Sequence, residues 1–145
     1  MLLGVGNELQ ADDGAGLLAV RAIKTRLGNS PDMLLIEGAT APENFTGPIR
    51  RFAPDLVIII DAAKMGKKVG EIDWIDLEQI DGFSASSHVQ PLSILAGYLI
   101  REMNCEVMAL GIEAGILEFG EPVSKEVDRS IIDIVDGFVE ALSVS

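Results

Sequence analysis

A chain of 145 residues that is 48% hydrophobic but only 5% aromatic predicts one domain, residues 1–145, with a core of Leu, Ile, Val and Ala. Its formal net charge of −12 argues against nucleic acid and anionic membrane surfaces as partners. The lone cysteine, Cys105, excludes an intrachain disulfide and a cysteine-built zinc site, and with no leader-like or membrane-spanning apolar run the expected location is cytoplasmic.

In chain order, Leu2–Gly6 is read as a brief first strand, and Gly14–Leu27 as a helix. That helix is apolar at 17, 18, 20, 23 and 27, faces Arg21, Lys24 and Arg26 outward, and is stopped by Gly28-Asn29. Met33–Glu37 is the second strand, and Glu43–Phe52 a short helix after Pro42 that Pro48 complicates. Leu56–Ile60 (LVIII), bounded by Pro54-Asp55 and Asp61, has the β-branched run of a strand buried on both faces. Glu71–Leu77 alternates in part and reads as a half-exposed antiparallel or edge strand. Pro91–Met103 is helical, Glu106–Gly111 is the fifth strand, and Ser124–Leu142 is a final helix with Ser124 as its N-cap. This order predicts a three-layer α/β/α sandwich around a mostly parallel, about five-stranded twisted sheet with one antiparallel strand.

In such sheets ligands bind beyond the carboxyl ends of the parallel strands, so the polar residues there carry the chemistry. Asp12 and Asp13 follow the first strand, Asp61 the third and Glu113 the fifth; His88, the only histidine, precedes the Pro91 helix. Asp12 is expected to cap the first helix, which leaves Asp13 spare, since one cap suffices. Asp13, Asp61 and His88 together suit an oxygen-and-nitrogen site for a borderline divalent ion such as nickel, zinc or cobalt. Each also has a plainer role as a cap or a structural hydrogen bonder. Gly4-x-Gly6 has Leu9 where a dinucleotide fingerprint needs glycine, and paired acids would repel a pyrophosphate. Cys105 opens its strand at the far end of the sheet and reads as an inert thiol; Ser86 and Ser87 adjoin His88 without a nucleophile elbow. Lys64, Lys67 and Lys68 read as a solvated loop, and Met65 as loop packing or a soft contact to a bound peptide.

Four stretches carry a resemblance. GVGNELQADDGAG (4–16), GATAPENF (38–45), IIIDAAKMG (58–66) and SHVQPL (87–92) are similar to motifs of the [NiFe]-hydrogenase maturation proteases, the second especially to the hydrogenase-3-type branch. The resemblance spans nearly the whole chain. It implies a nickel-dependent, aspartate-type endopeptidase that removes the C-terminal extension of the hydrogenase large-subunit precursor once nickel is inserted. The family's nickel-recognising residues fall on Asp13, where many relatives carry Glu, on Asp61 and on His88. The implied metal is nickel presented by the precursor, with other divalent ions able to occupy the site. A non-catalytic docking protein that grips the nickel centre without cutting is the alternative, and a nucleotide-binding regulator a third reading.

Overall fold

The computed structural model describes residues 1–85 and 90–143. Among these, β1 (Leu2–Val5), β2 (Leu35–Ala39), β3 (Leu56–Ala63), β4 (Ile72–Ile75) and β5 (Glu106–Glu113) form one sheet in the order β2-β1-β3-β5-β4. The first four neighbours run parallel, and β4 pairs antiparallel with β5 at the edge. Five α-helices accompany them among the described residues: α1 (Ala15–Leu27), α2 (Thr46–Phe52), α3 (Ile80–Phe83), α4 (Leu92–Met103) and α5 (Lys125–Ser143).

Alternation along the strands sorts the apolar residues into two cores. Leu3, Val5, Val57 and Ile59 pack with Ile49 of α2 and Leu92, Leu95 and Leu99 of α4. Leu2, Ile60, Ala62 and Ile112 pack with Ala19, Val20 and Ile23 of α1 and with Val127, Ile131, Ile134 and Val135 of α5. The spacing of those α5 residues is the stripe an amphipathic helix lays on a sheet. This is the expected three-layer arrangement with its antiparallel edge strand. Among the described residues no helix is long and apolar enough to cross a membrane.

Several boundaries differ from the sequence reading. β2 begins at Leu35 and runs on through Gly38, while Met33 makes an isolated bridge with Ser30. β3 does not stop before Asp61, and β5 does not stop at Gly111; the two stay in register to Ala63 opposite Glu113. Polar residues end strands only when their side chains lack partners inside, and both acids have them here. Pro48 sits within the first turn of α2, where a missing N–H breaks no intrahelical bond. The helical turns at Leu77–Phe83 were not expected, since that stretch is too short to show a helical period.

The connection out of β1 leads to β2 on one side while the connection out of β3 leads toward β4 and β5 on the other, so the strand order reverses and a crevice opens between β1 and β3. The start of α1 lies directly over that crevice because Gly16 has no side chain. A Cβ there would stand 1.9 Å from the Ile60 carbonyl oxygen and 2.7 Å from that of Val5. Gly16→Ala should therefore lift α1 off the sheet. The expected loss of about 3 kcal/mol outweighs the roughly 1 kcal/mol that Ala gains as a helix former, and urea unfolding measures it.

Candidate active site

Asp61 is reached by the β3 ladder, where it lies opposite Gly111, and the residue is 2% exposed. Ser84 Oγ donates a 2.6 Å hydrogen bond to Asp61 Oδ2. The chain around Ser84 is stitched to the end of β3: Lys64 N–H donates to Phe83 O at 2.7 Å, and Ala85 N–H to Ala62 O at 3.0 Å. His88, the third residue of the predicted set, lies outside the described residues, as do Ser86 and Ser87.

Asp13 is placed by a tight 3-10 turn, Ala11–Gly14, that folds back on the end of β1. Its backbone N–H donates to Gln10 O at 3.0 Å, and its Oδ2 accepts the Asn7 N–H at 3.0 Å. Gly6 lets the turn close: its φ is +127°, and a Cβ would fall 1.9 Å from the Asp13 carbonyl oxygen. Ala11 enters the turn at φ +51°, a left-handed conformation that costs a non-glycine residue about 1 kcal/mol. The Gly4-x-Gly6 pair thus serves close packing of backbone on backbone. Since Gly4 lies opposite Ile60 in the parallel ladder, Asp61 follows the last β3 residue paired with β1, on the same rim as the turn after β1 that carries Asp13. Asp13 is likewise 2% exposed.

Asp12 does not cap α1. Fully buried, it accepts from Gly115 N at 2.8 Å, Ile116 N at 2.9 Å, Ser124 N at 2.7 Å and Ser124 Oγ at 2.9 Å. One carboxylate therefore ties the turn carrying Asp13 to the loop after β5 and to the residue preceding α5. Ser124 spends its hydroxyl on this clamp. Its carbonyl oxygen accepts the Asp128 N–H at 2.9 Å, which starts the helix.

Glu113 fixes the loop after β3, its Oε1 accepting from Met65 N at 2.7 Å and Lys67 N at 3.3 Å. The lysine loop is less free than its composition suggests, for Lys64 Nζ donates to Ala114 O at 2.7 Å and Lys67 pairs with Asp73 at 3.0 Å. Met65 packs against the core on the α4 face. On the other flank, Arg21 joins Glu8 of the β1 loop and Glu37 of β2, both at 2.6 Å, and its hydrogen bond holds the Glu8 carboxyl below its ordinary pKa.

Cys105 lies at the amino end of β5, away from this rim, with Sγ 3.5 Å from Leu99 O, and burial pushes its thiol pKa up. Cys105→Ala should leave any catalysis at the rim unchanged and lower stability by about 1 kcal/mol, as a turnover assay and a thermal melt would report.

The partners Asn7, Ser84 and Ser124 were not singled out as supports for the acids. Nothing local marks Ser84 as a neighbour of Asp61 or Ser124 as a neighbour of Asp12; both contacts exist only once the sheet is assembled. Glycines at 4, 6, 14 and 16 were the one signal that this turn is tightly packed.

Comparison with known proteins agrees with this architecture. A family model described as HycI, hydrogenase maturation protease, matches residues 17–141. The hydrogenase 3 maturation protease of Escherichia coli K12 is 37% identical over 133 residues, 90% of this chain and 83% of that one. The crystal structure of a [NiFe] hydrogenase maturation protease HycI from Thermococcus kodakarensis superposes with a TM-score of 0.88 at 29% identity, covering 98% of this chain and 90% of that one. The solution structure of the endopeptidase HycI from Escherichia coli gives 0.83 at 33% identity, over 97% and 88%.

Proposed function

The chain belongs to the hydrogenase maturation protease family, and from that premise we propose that it is the endopeptidase that trims the C-terminal extension from a nickel-loaded [NiFe]-hydrogenase large-subunit precursor in the cytoplasm. What supports this reading is a pair of buried carboxylates on one rim of the sheet, Asp13 in the turn after β1 and Asp61 in β3, the residue after the last one paired with β1. His88 completes the set in this proposal, and Ala85, three residues before it, is hydrogen-bonded beside Asp61. Two carboxylates and an imidazole suit a borderline divalent ion, so nickel is read as part of the substrate, the mark by which a finished precursor is told from an unfinished one. Other divalent ions of similar preference would compete for the same donors.

The ion, when present, would supply positive charge to the two carboxylates. The chain's own residues do the rest. Burial keeps bulk water from solvating Asp13 and Asp61, and the hydrogen bonds from Asn7 N and Ser84 Oγ fix one oxygen of each. In the proposed reaction a water attacks the scissile carbonyl and one carboxylate takes its proton as general base. The same group returns that proton to the leaving amine. Specificity follows from electrostatics: the positive charge of nickel draws a loaded precursor to the two carboxylates, and a precursor without nickel lacks that attraction and binds more weakly.

The test is to incubate the purified protein with nickel-loaded precursor and to follow the mass of the large subunit. Loss of the tail, and no loss from nickel-free precursor, is expected. Tight binding with unchanged mass would establish the docking protein instead.

A further inference from the structure

The clamp at Asp12 builds a surface as well as a turn. Asp12 N–H donates to Ile116 O at 2.9 Å, and Gly120 N–H donates to Leu9 O at 2.8 Å, so the loops after β1 and β5 are bound side by side next to Asp13. Together they present Leu9, Ile116 and Phe119, which are 58%, 39% and 71% exposed. A phenylalanine and a leucine held out by loops that are hydrogen-bonded to each other present exposed apolar surface at a fixed place beside that turn. Glu118 and Glu121 border it, both exposed.

We propose that Leu9, Ile116 and Phe119 are the docking face for the folded body of the hydrogenase precursor, which holds it while its C-terminal segment lies across Asp13 and Asp61. The proposal rests on the reading of the chain as the endopeptidase of that precursor. Its occupant follows from place and charge. A protein whose tail reaches Asp13 has its body over this rim, because the patch is hydrogen-bonded to the turn that bears Asp13. The acidic border calls for a partner surface that is apolar at its centre and carries Lys or Arg at its edge. A second copy of this chain, with its own acidic border and net charge of −12, is repelled instead.

The experiment compares wild type with the double variant Leu9→Ser/Phe119→Ser, measuring cleavage of nickel-loaded precursor and, separately, its binding by calorimetry. Both side chains are solvent-exposed, so the variant should melt with the wild type. The expected result is a KM and a Kd raised about 10-fold or more, with kcat within about twofold of wild type. Unchanged KM and Kd would overturn the docking face while wild-type cleavage leaves the protease reading standing. A wild type that sediments as a dimer, converted to monomer by the variant with KM unaltered, would also overturn it and assign the patch to a second copy. If the wild type neither binds nor cuts the precursor, the protease reading fails, and the docking face with it.

Discussion

Asp12→Asn is expected to lower the melting temperature by about 10 °C, corresponding to roughly 3 kcal/mol for a domain of this size. Asn and Asp have nearly the same shape, so the effect is electrostatic. In the native chain both carboxylate oxygens are filled by donors, three backbone N–H groups and one hydroxyl. An amide keeps one acceptor and turns a donor toward other donors, leaving buried N–H groups unsatisfied. Each hydrogen bond to a charged group contributes about 1.5–3 kcal/mol, and losing its acceptor exposes the full desolvation penalty of the orphaned donor. Ser124→Ala removes only the hydroxyl and should lower stability by about 1 kcal/mol. If both variants melt with the wild type, the clamp does not hold the rim together.

Asp13→Asn and Asp61→Asn should do the opposite, leaving the fold intact and stopping the chemistry. An amide oxygen still accepts the bond from Asn7 N or Ser84 Oγ, so each variant should keep the wild-type circular dichroism and melt within a few degrees of it. Neither amide can take a proton, nor balance a divalent ion as a carboxylate does. Processing of nickel-loaded precursor, followed by mass, should fall by about 10²–10⁴-fold in each case, the range for loss of a general base. His88→Ala should fail as well. Wild-type cleavage by all three variants would remove these residues from the reaction.

The sheet was legible because its central strands are buried on both faces, so LVIII and its neighbours read as unbroken apolar runs between turn residues. Their ends were not. Asp61 looked like a strand terminator, since an isolated acid does not enter a core, yet Ser84 from a distant segment makes it acceptable inside. Asp12 shows the same limit: local rules make an Asp at a helix start a cap, while its actual donors lie 103 to 112 residues away. Asp13 and Asp61, by contrast, could be assigned to the carboxyl-end rim of the sheet from strand order alone, because βα turns of parallel strands gather on one side of the sheet. What each acid touches depends on tertiary contacts that no periodicity encodes.

The span of the Asp12 contacts also has a kinetic meaning. A link between residue 12 and residues 115–124 closes a loop of most of the chain, and its entropic penalty is repaid only after β5 has joined the sheet. The turn bearing Asp13 is therefore among the last parts to consolidate. A nascent chain that has not yet delivered Ser124 holds the sheet's first strands before the turn bearing Asp13 has its anchor.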